Sequence, residues 1–198
     1  GCLSIAYTYT EPLTYYEYVY DVARLAHERG IKNILVSAGY VNKDPIRNLS
    51  LYLDAANIDL KSFSDDLYVK VNHGHLQPII DTLLILKDAG VWLEITNLLI
   101  PLINDDAEMI KRMCHWLVKN GFASNPLHFS RFFPMYKMDK LSPTPLASLL
   151  KARDIAQDEG MQYVYIGNVG EMEGENTICP VCHKQLVRRK GFDVLENY

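Results

Sequence analysis

Residues 14–40 read "TYYEYVYDVARLAHERGIKNILVSAGY" and contain a helix, a glycine and a strand in succession. Apolar residues recur at three- and four-residue spacing, which predicts an amphipathic helix with Val19, Val22, Ala23 and Ala26 on its apolar face. Thr14 and Glu17 have the spacing of a capping box that would begin this helix, and Gly30 would end it. The apolar run at 31–40 then predicts a strand.

The same succession recurs three more times along the chain. Apolar helical patterns end at Gly90, Gly121 and Gly160, and a strand-like stretch follows each glycine. A spacing of about 30 residues is typical of βα units. Two further strand-like stretches are "LSIAYTY" and "AANIDLKSF". We therefore predict six strands, at about 3–9, 33–38, 54–60, 91–99, 126–132 and 162–167.

This order predicts an α/β fold in which a parallel sheet is covered by helices. The sheet is either a barrel or an open doubly wound sheet, and the residues alone favour neither. The motifs GxGxxG and GxxxxGK[ST] do not occur in the sequence, which argues against a dinucleotide-binding or P-loop domain. In both architectures the functional site lies at the carboxyl ends of the strands.

Composition excludes several classes of protein. The 198 residues carry a net charge of −4, so the chain lacks the general basic field of a nucleic-acid-binding protein. The sequence contains neither the run of about 18 apolar residues that a membrane helix needs nor the pattern of a signal peptide. Its four cysteines do not form a disulfide framework. We expect a cytoplasmic protein without a nucleic-acid or membrane partner.

Polar residues follow the predicted strands where each one ends. The first three strands are followed by Thr10, Glu11, Ser37, Asp59 and Lys61, and the later ones by Asn97, Asn104, His128, Ser130, Arg131 and Asn168. The carboxyl ends of parallel strands meet at one edge of a sheet. This set would therefore surround a zwitterionic ligand that carries an amine, a carboxylate and hydroxyls.

These residues also have structural interpretations. The position of Glu11 is typical of a solvent-exposed acid in the first turn of a helix. Asp59 and Lys61 point to the same side of a strand and would form an ion pair. The position of His128, on an apolar strand, is typical of a hydrogen-bonded histidine in a protein core. Arg131 lies among three phenylalanines and needs an anionic partner or water, unless it stacks at the surface.

Six stretches, in order along nearly the whole chain, resemble radical S-adenosylmethionine (SAM) enzymes. They are "SIAYTYTEP" (4–12), "AANIDLKSFS" (55–64), "WLEITNLLIPLIND" (92–105), "PLHFSRFFPMYKM" (126–138), "YVYIGNV" (163–169) and "GENTICPVCHKQLVRRKGF" (174–192). The resemblance is specifically to the radical SAM protein of the AmmeMemoRadiSam system, a relative of the pyruvate formate-lyase activating enzymes.

The resemblance implies a partial (β/α) TIM-like barrel that lacks the first strand of the radical SAM core. Such enzymes hold a [4Fe-4S] cluster through a C-x3-C-x2-C loop and cleave SAM reductively to a 5′-deoxyadenosyl radical, which abstracts hydrogen from a substrate. The electron comes from a donor such as flavodoxin or ferredoxin. In activating enzymes the substrate is a glycine of a partner protein.

The resemblance also implies roles for individual residues. Glu11, with Thr10 before it, stands where a Gly-Gly-Glu-Pro motif holds the methionine amine, although the glycines are missing here. Asp59 and Lys61 match an Asp-x-Lys element that contacts the ribose and carboxylate of SAM. The other residues expected around cofactor and substrate are Ser37, His128, Ser130 and Arg131.

One departure from the family concerns the cluster. No C-x3-C-x2-C occurs in the sequence, and Cys2 and Cys114 are too isolated to replace it. We therefore interpret residues 1–170 as a radical SAM core from its second strand onward, with cluster ligands before Gly1, and residues 171–198 as a separate tail. The alternatives are a clusterless barrel scaffold or binding module with a structural zinc, and a metal-independent enzyme that forms a Schiff base on Lys61.

The tail contains "CPVCH" at 179–183. Two thiolates from one turn, Cys179 and Cys182, are typical of half of a tetrahedral zinc site, and in the resembling family a second Cys-x-x-Cys follows. Haem attachment matches the spacing but requires export. A thioredoxin-like dithiol would lie at a helix start inside a βαβ core. We expect a structural zinc at this pair.

Overall fold

The computed structural model of the protein describes residues 1–169, 173–191 and 193–198. Within these residues a parallel sheet of six strands forms, and the strands lie side by side in chain order. They are β1 (Ser4–Tyr7), β2 (Lys32–Ser37), β3 (Ala55–Asp59), β4 (Trp92–Leu99), β5 (Leu127–Arg131) and β6 (Val164–Gly167). All six predicted strands are confirmed, to within about two residues at each end.

Helices connect the consecutive strands, because parallel neighbours need a crossover connection. In the described part of the chain these are α1 (Tyr16–Glu28), α2 (Lys43–Ser50), α3 (Asp65–Leu67), α4 (Leu76–Asp88), α5 (Ala107–Lys119) and α6 (Leu146–Asp158), with a π-helical turn at Tyr68–Asn72. The glycines predicted to end helices follow α1, α4, α5 and α6, and all four have positive φ. The predicted α/β alternation is confirmed.

The predicted capping box of α1 is wrong. Helix α1 begins at Tyr16, and its cap residue makes no side-chain hydrogen bond. One turn of 3-10 helix, Pro12–Tyr15, precedes it, and the Glu11 carboxylate accepts a hydrogen bond from the Leu13 N–H of that turn at 3.2 Å. Proline suits the first position of a helical turn because it has no N–H to satisfy. The chain therefore starts to coil at Pro12, and Glu11 takes the capping role.

The described residues divide into two compact units, one formed by 1–60 with 68–95 and the other by 61–67 with 96–198. In the first unit the fully buried side chains include Val19, Leu35, Ile46, Ile58, Ile79 and Leu83. In the second they include Leu117, Phe122, Leu127, Phe129 and Leu149. In each unit the core lies between strands and the apolar faces of their helices.

The tail forms a second sheet that the sequence did not predict. Its antiparallel strands are β7 (Thr177–Ile178), β8 (Gln185–Lys190) and β9 (Asp193–Asn197). The turn between β7 and β8 carries Cys179 and Cys182. The expected boundary between core and tail, at residues 170 and 171, lies outside the described residues and stays a prediction. No helix in the described chain is long and apolar enough to cross a membrane.

Candidate functional site

The Glu11 carboxylate joins the carboxyl ends of β1 and β2. Its Oε1 accepts hydrogen bonds from the Ser37 hydroxyl at 2.6 Å and from the Leu13 N–H at 3.2 Å. Its Oε2 accepts one from the Ala38 N–H at 2.8 Å. Ser37, the last residue of β2, is only 5% exposed. Glu11 is therefore held inward against β2, and it does not extend into solvent as a first-turn acid would.

The turn after β2 is locked by the same Ser37 hydroxyl. This oxygen accepts a hydrogen bond from the Gly39 N–H at 2.9 Å while it donates to Glu11. Thr82 of α4 donates to the Gly39 carbonyl at 2.9 Å. Gly39 has φ of +68°, and a Cβ there would lie 2.8 Å from Cγ2 of Ile58. Only glycine fits between the strand ends and α4 at this position.

The remaining predicted residues of the first unit also follow strand ends. Thr10 is exposed and precedes Glu11 in the loop after β1. Asp59 is half-buried and is the last residue of β3. Because Ser37 pairs with Ile58 across the parallel strands, Ser37 and Asp59 lie at the same edge. In this unit the predicted clustering of polar residues at the carboxyl edge is present.

A cavity of about 380 Å³ opens beside the Glu11 turn within the first unit. It is lined by Leu13, Tyr16, Glu17, Tyr40, Val41, Asn42, Pro45 and Pro78. The Tyr16 hydroxyl donates to the Pro45 carbonyl at 2.9 Å, which ties α1 to the start of α2. The cavity thus lies where α1, the turn after β2 and the start of α2 meet.

In the second unit, Lys61 is anchored through its backbone. Its carbonyl accepts a hydrogen bond from Nδ2 of Asn104 at 2.6 Å. Asn104, only 3% exposed, also donates to the Leu98 carbonyl at 2.8 Å and accepts from the Ile100 N–H at 2.6 Å. From the sequence, Asn104 was predicted only to be one of the polar residues that follow β4, and no role was assigned to it. In the structure it closes the loop after β4.

Arg131 has a carbonyl and a ring as its neighbours, whereas the sequence left open an anionic partner, water or a stacked position at the surface. Its Nε donates to the Thr144 carbonyl at 2.9 Å, and its guanidinium lies 5.1 Å from the ring centroid of Phe133. A planar guanidinium stacks readily on an aromatic face. The arrangement matches the stacked-arginine interpretation.

His128 stacks on Tyr165, its partner in the register of β5 and β6. The two ring centroids are 5.2 Å apart, at an interplanar angle of 21°. The Tyr165 hydroxyl lies 3.0 Å from Oγ1 of Thr177, and the Arg189 guanidinium lies 5.9 Å from the Tyr165 ring. Tyr165 was not among the residues predicted for the site. The local alternation of apolar residues in β6 does not predict the contacts of Tyr165 with Thr177 and Arg189 of the tail.

The tail cysteines lie in a tight turn. The Cys179 N–H donates to the Lys184 carbonyl at 2.8 Å, and the His183 N–H donates to the Cys179 carbonyl at 3.0 Å. Hydrogen bonds from the backbone N–H groups of Cys182 and Val181 lower the pKa of the Cys179 thiol. Cys114 is fully buried, and this burial raises the pKa of its thiol to about 12.

The family model of the radical SAM superfamily matches residues 1–117. The chain belongs to the radical SAM superfamily. An uncharacterized protein from Methanocaldococcus jannaschii is 43% identical over 193 residues, which are 98% of this chain and 57% of that protein. The chain thus spans little more than half the length of this relative.

Solved structures show the same radical SAM fold. A domain of pyruvate-formate lyase-activating enzyme from Bacteroides vulgatus has a TM-score of 0.68 at 20% identity, over 85% of this chain and all of that one. SuiB from Streptococcus suis, bound to S-adenosylmethionine, has a TM-score of 0.64 at 15% identity, over 83% of this chain and 39% of that one. The predicted α/β fold, a partial TIM-like barrel, is confirmed. The narrower AmmeMemoRadiSam assignment stays a prediction.

Radical SAM membership implies SAM and a [4Fe-4S] cluster, and the residues fit these two groups differently. A carboxylate accepts about four hydrogen bonds, and three positions on Glu11 are filled, so a fourth donor such as the ammonium of SAM would fit there. For the cluster, no group of three or more His, Cys, Asp or Glu side chains among the described residues is arranged to hold a metal. The four cysteines of this chain do not supply its three-cysteine ligand set.

Proposed function

We propose that this chain is part of a radical SAM enzyme that cleaves SAM reductively to a 5′-deoxyadenosyl radical and abstracts hydrogen from a glycine of a protein substrate. The observation that carries the proposal is the Glu11 carboxylate, which is oriented by Ser37 and Ala38 and keeps one acceptor position. Its place at the carboxyl edge of a radical SAM fold supports a role in holding the SAM ammonium.

The other predicted residues receive roles around this carboxylate. Thr10 and Ser37 position Glu11 and its loop, and Asp59 and Lys61 bind the ribose and the carboxylate of SAM. His128 and Arg131 line the substrate side. Support for the last role is that both side chains are held against rings, His128 on Tyr165 and Arg131 on Phe133. Held side chains lose little freedom when a substrate binds.

The cluster ligands belong, in this proposal, to a part of the protein outside these 198 residues. Support comes from the relative in Methanocaldococcus jannaschii, of which the chain covers 57%. A [4Fe-4S] cluster held there would supply the electron for cleavage of SAM, and flavodoxin or ferredoxin would be its electron donor.

The tail holds a structural zinc in this proposal. The turn at 179–184 is closed by the hydrogen bond from the Cys179 N–H to the Lys184 carbonyl, and it carries both thiols on one short segment. Two thiolates from one turn fill half of a tetrahedral zinc site. The other two ligands come from outside the pair.

The test uses the full-length protein, reconstituted anaerobically with iron and sulfide and then reduced in the presence of SAM. Formation of 5′-deoxyadenosine is the expected result. Its absence from a protein with a verified cluster would overturn the proposal. Glu11→Gln is expected to raise the KM for SAM, because an amide carries no charge to hold an ammonium. Glu108→Gln, on the exposed first turn of α5, is the matched control, because it removes the same charge away from the cavity beside the Glu11 turn.

A further inference from the structure

We call the cavity beside the Glu11 turn the tyrosine pocket, because Tyr16 and Tyr40 form two of its walls. Its other walls include Glu17 of α1, Asn42 in the loop after β2, and Pro45 and Pro78 at the starts of α2 and α4. All of these residues belong to the first unit. The volume of about 380 Å³ falls within the range of small-molecule sites, about 300–1,000 Å³.

Both tyrosine rings of the pocket are held in place by contacts of their own. The Tyr16 hydroxyl donates to the Pro45 carbonyl at 2.9 Å, and the Tyr16 ring stacks on Tyr20 with the centroids 5.9 Å apart. The Tyr40 ring packs on the backbone of Gly74, where an added Cβ would lie 2.8 Å from Cε2 of Tyr40. Rings that are already held lose little freedom when a ligand binds between them.

Three polar groups of the pocket are not used by the protein itself. Glu17 is the only charged residue in the lining, and within the described residues its carboxylate has no hydrogen bond or ion pair. The Tyr40 hydroxyl and the Asn42 side-chain amide likewise have no hydrogen-bond partner in the part of the chain that the structure describes. These groups come from two segments, so a ligand between the rings would be contacted from both sides.

The charged groups around the pocket do not neutralise Glu17. The nearby lysine and arginine are used in ion pairs of their own, Lys43 with Asp81 and Arg47 with Asp44, each at 3.1 Å. Glu11, which accepts from the Leu13 N–H, and Asp21, one turn further along α1, add negative charge. The histidines on either side of Gly74 carry no formal charge at pH 7. The pocket is therefore an acidic site with aromatic walls.

We infer that the tyrosine pocket binds the alkylated ammonium group of an organic cation. Cations are attracted to the faces of aromatic rings, and aromatic cages recognise methylated ammonium groups in this way. Glu17 supplies the opposite charge, and Pro45 and Pro78 offer apolar surface to the methyl groups. An anion would be repelled by Glu17, and a metal ion would need more oxygen ligands than one carboxylate provides. The inference does not rest on the proposed function, because binding needs neither SAM nor the cluster.

The test is an NMR titration of the full-length protein, without SAM, with choline and with its uncharged isostere 3,3-dimethylbutan-1-ol. Choline should cause saturable shifts at the backbone amides of Glu17, Tyr40 and Asn42. The isostere should bind at least about fivefold more weakly, because it lacks the charge that the carboxylate and the rings attract. A glycine-flanked trimethyllysine peptide is titrated in parallel. Tighter binding of the peptide than of choline would assign the cation to a polypeptide, and tighter binding of choline would assign it to a free small molecule.

Variants separate the contributions of charge and ring. Glu17→Gln and Tyr40→Leu should each weaken choline binding about two- to fivefold, through loss of an exposed charge pair and of a cation–ring contact. Tyr40→Phe keeps the ring and should bind within about twofold of the wild type. The controls Glu108→Gln and Tyr18→Leu change exposed residues of the same types outside the pocket and should bind choline like the wild type.

Four results would overturn the inference: no saturable shifts, equal binding of the isostere, equal losses in the control variants, or displacement of choline by SAM, which would make the pocket part of the SAM site. The same protein samples are assayed for 5′-deoxyadenosine. Cleavage of SAM without choline binding would refute the tyrosine pocket and leave the proposed function standing. Choline binding without cleavage of SAM would do the reverse.

Discussion

The hydroxyl of Ser37 donates a 2.6 Å hydrogen bond to the carboxylate of Glu11, which comes 26 residues earlier in the chain. The same hydroxyl accepts from the Gly39 N–H, so a single side chain connects the end of β1, the end of β2 and the turn that follows. Glu11 thus has a structural role in the free protein and a proposed binding role. Substitutions here should affect stability and SAM binding together.

Glu11→Gln should destabilise the fold. The amide nitrogen of glutamine cannot accept the hydrogen bonds that Glu11 accepts from Ser37 and Ala38 through two different oxygens. Each buried donor left without an acceptor costs about 1–3 kcal/mol. The free energy of unfolding, measured by urea denaturation, should fall by that amount. Glu17→Gln should change it by less than about 0.5 kcal/mol, and equal effects of the two variants would contradict this prediction.

Gly39→Ala should be strongly destabilising, whereas Gly30→Ala should be mild. Both glycines have φ near +70°, but an added Cβ at Gly39 would lie 2.8 Å from Ile58, and at Gly30 it would meet nothing within 4 Å. The positive φ costs an alanine about 1 kcal/mol of stability at either position. At Gly39 alone, overpacking against Ile58 costs about 1–3 kcal/mol more. Thermal or urea unfolding measures the difference. Equal losses for the two variants would show that Ile58 can move away freely.

Thr144→Val should loosen the loops after β4 and β5. Valine keeps the shape but leaves the buried Leu99 carbonyl and Phe132 N–H without their partner, at a cost of about 2–3 kcal/mol. Hydrogen exchange at the Phe132 amide should accelerate. Thr144→Ser retains the hydroxyl and loses one methyl group, so it should cost only about 1 kcal/mol. If serine were as harmful as valine, the hydroxyl would not be the stabilising group.

Asp54→Asn should reduce the acid sensitivity of the fold. Burial alone would raise the pKa of Asp54, but hydrogen bonds from the Lys32 side chain and the Asn33 N–H outweigh it and lower the pKa. A carboxyl with a lowered pKa stabilises the fold above its ordinary value of about 4, and this contribution disappears as the pH falls through the lowered value. Unfolding free energies measured across this acidic range should depend less on pH in the variant. An unchanged slope would argue against the prediction.

The four cysteines should differ in their reaction with iodoacetamide. Cys114 is fully buried and its pKa is raised to about 12, so it should react only after unfolding. Cys2 and Cys182 are exposed and Cys179 is half-buried, so these should react in the folded protein. Added zinc should protect Cys179 and Cys182 but not Cys2, as read by mass spectrometry of the labelled peptides. Protection of Cys2 as well, or of none, would contradict the proposed zinc pair.

Local patterns predicted the main elements well and the contacts at their ends poorly. The alternation around Gly30, Gly90, Gly121 and Gly160 placed the strands, because helix and strand periodicity is a local property of the chain. The capping box at Thr14 was wrong because the competing cap, Glu11, lies just outside that motif. The tail sheet was missed because its short polar strands have weak periodicity.

The sequence by itself determined the βα order, the superfamily and the set of polar residues that follow the strands, since each depends on residues close together in the chain. Only the tertiary structure decided that Glu11 accepts a hydrogen bond from Ser37. It likewise decided that Arg131 stacks on Phe133 and donates to the Thr144 carbonyl. The stacking of His128 on Tyr165 was also decided there. These contacts depend on strand register and loop closure, which bring together residues that no local pattern connects. Whether each polar residue binds a ligand or its own protein is decided at that level.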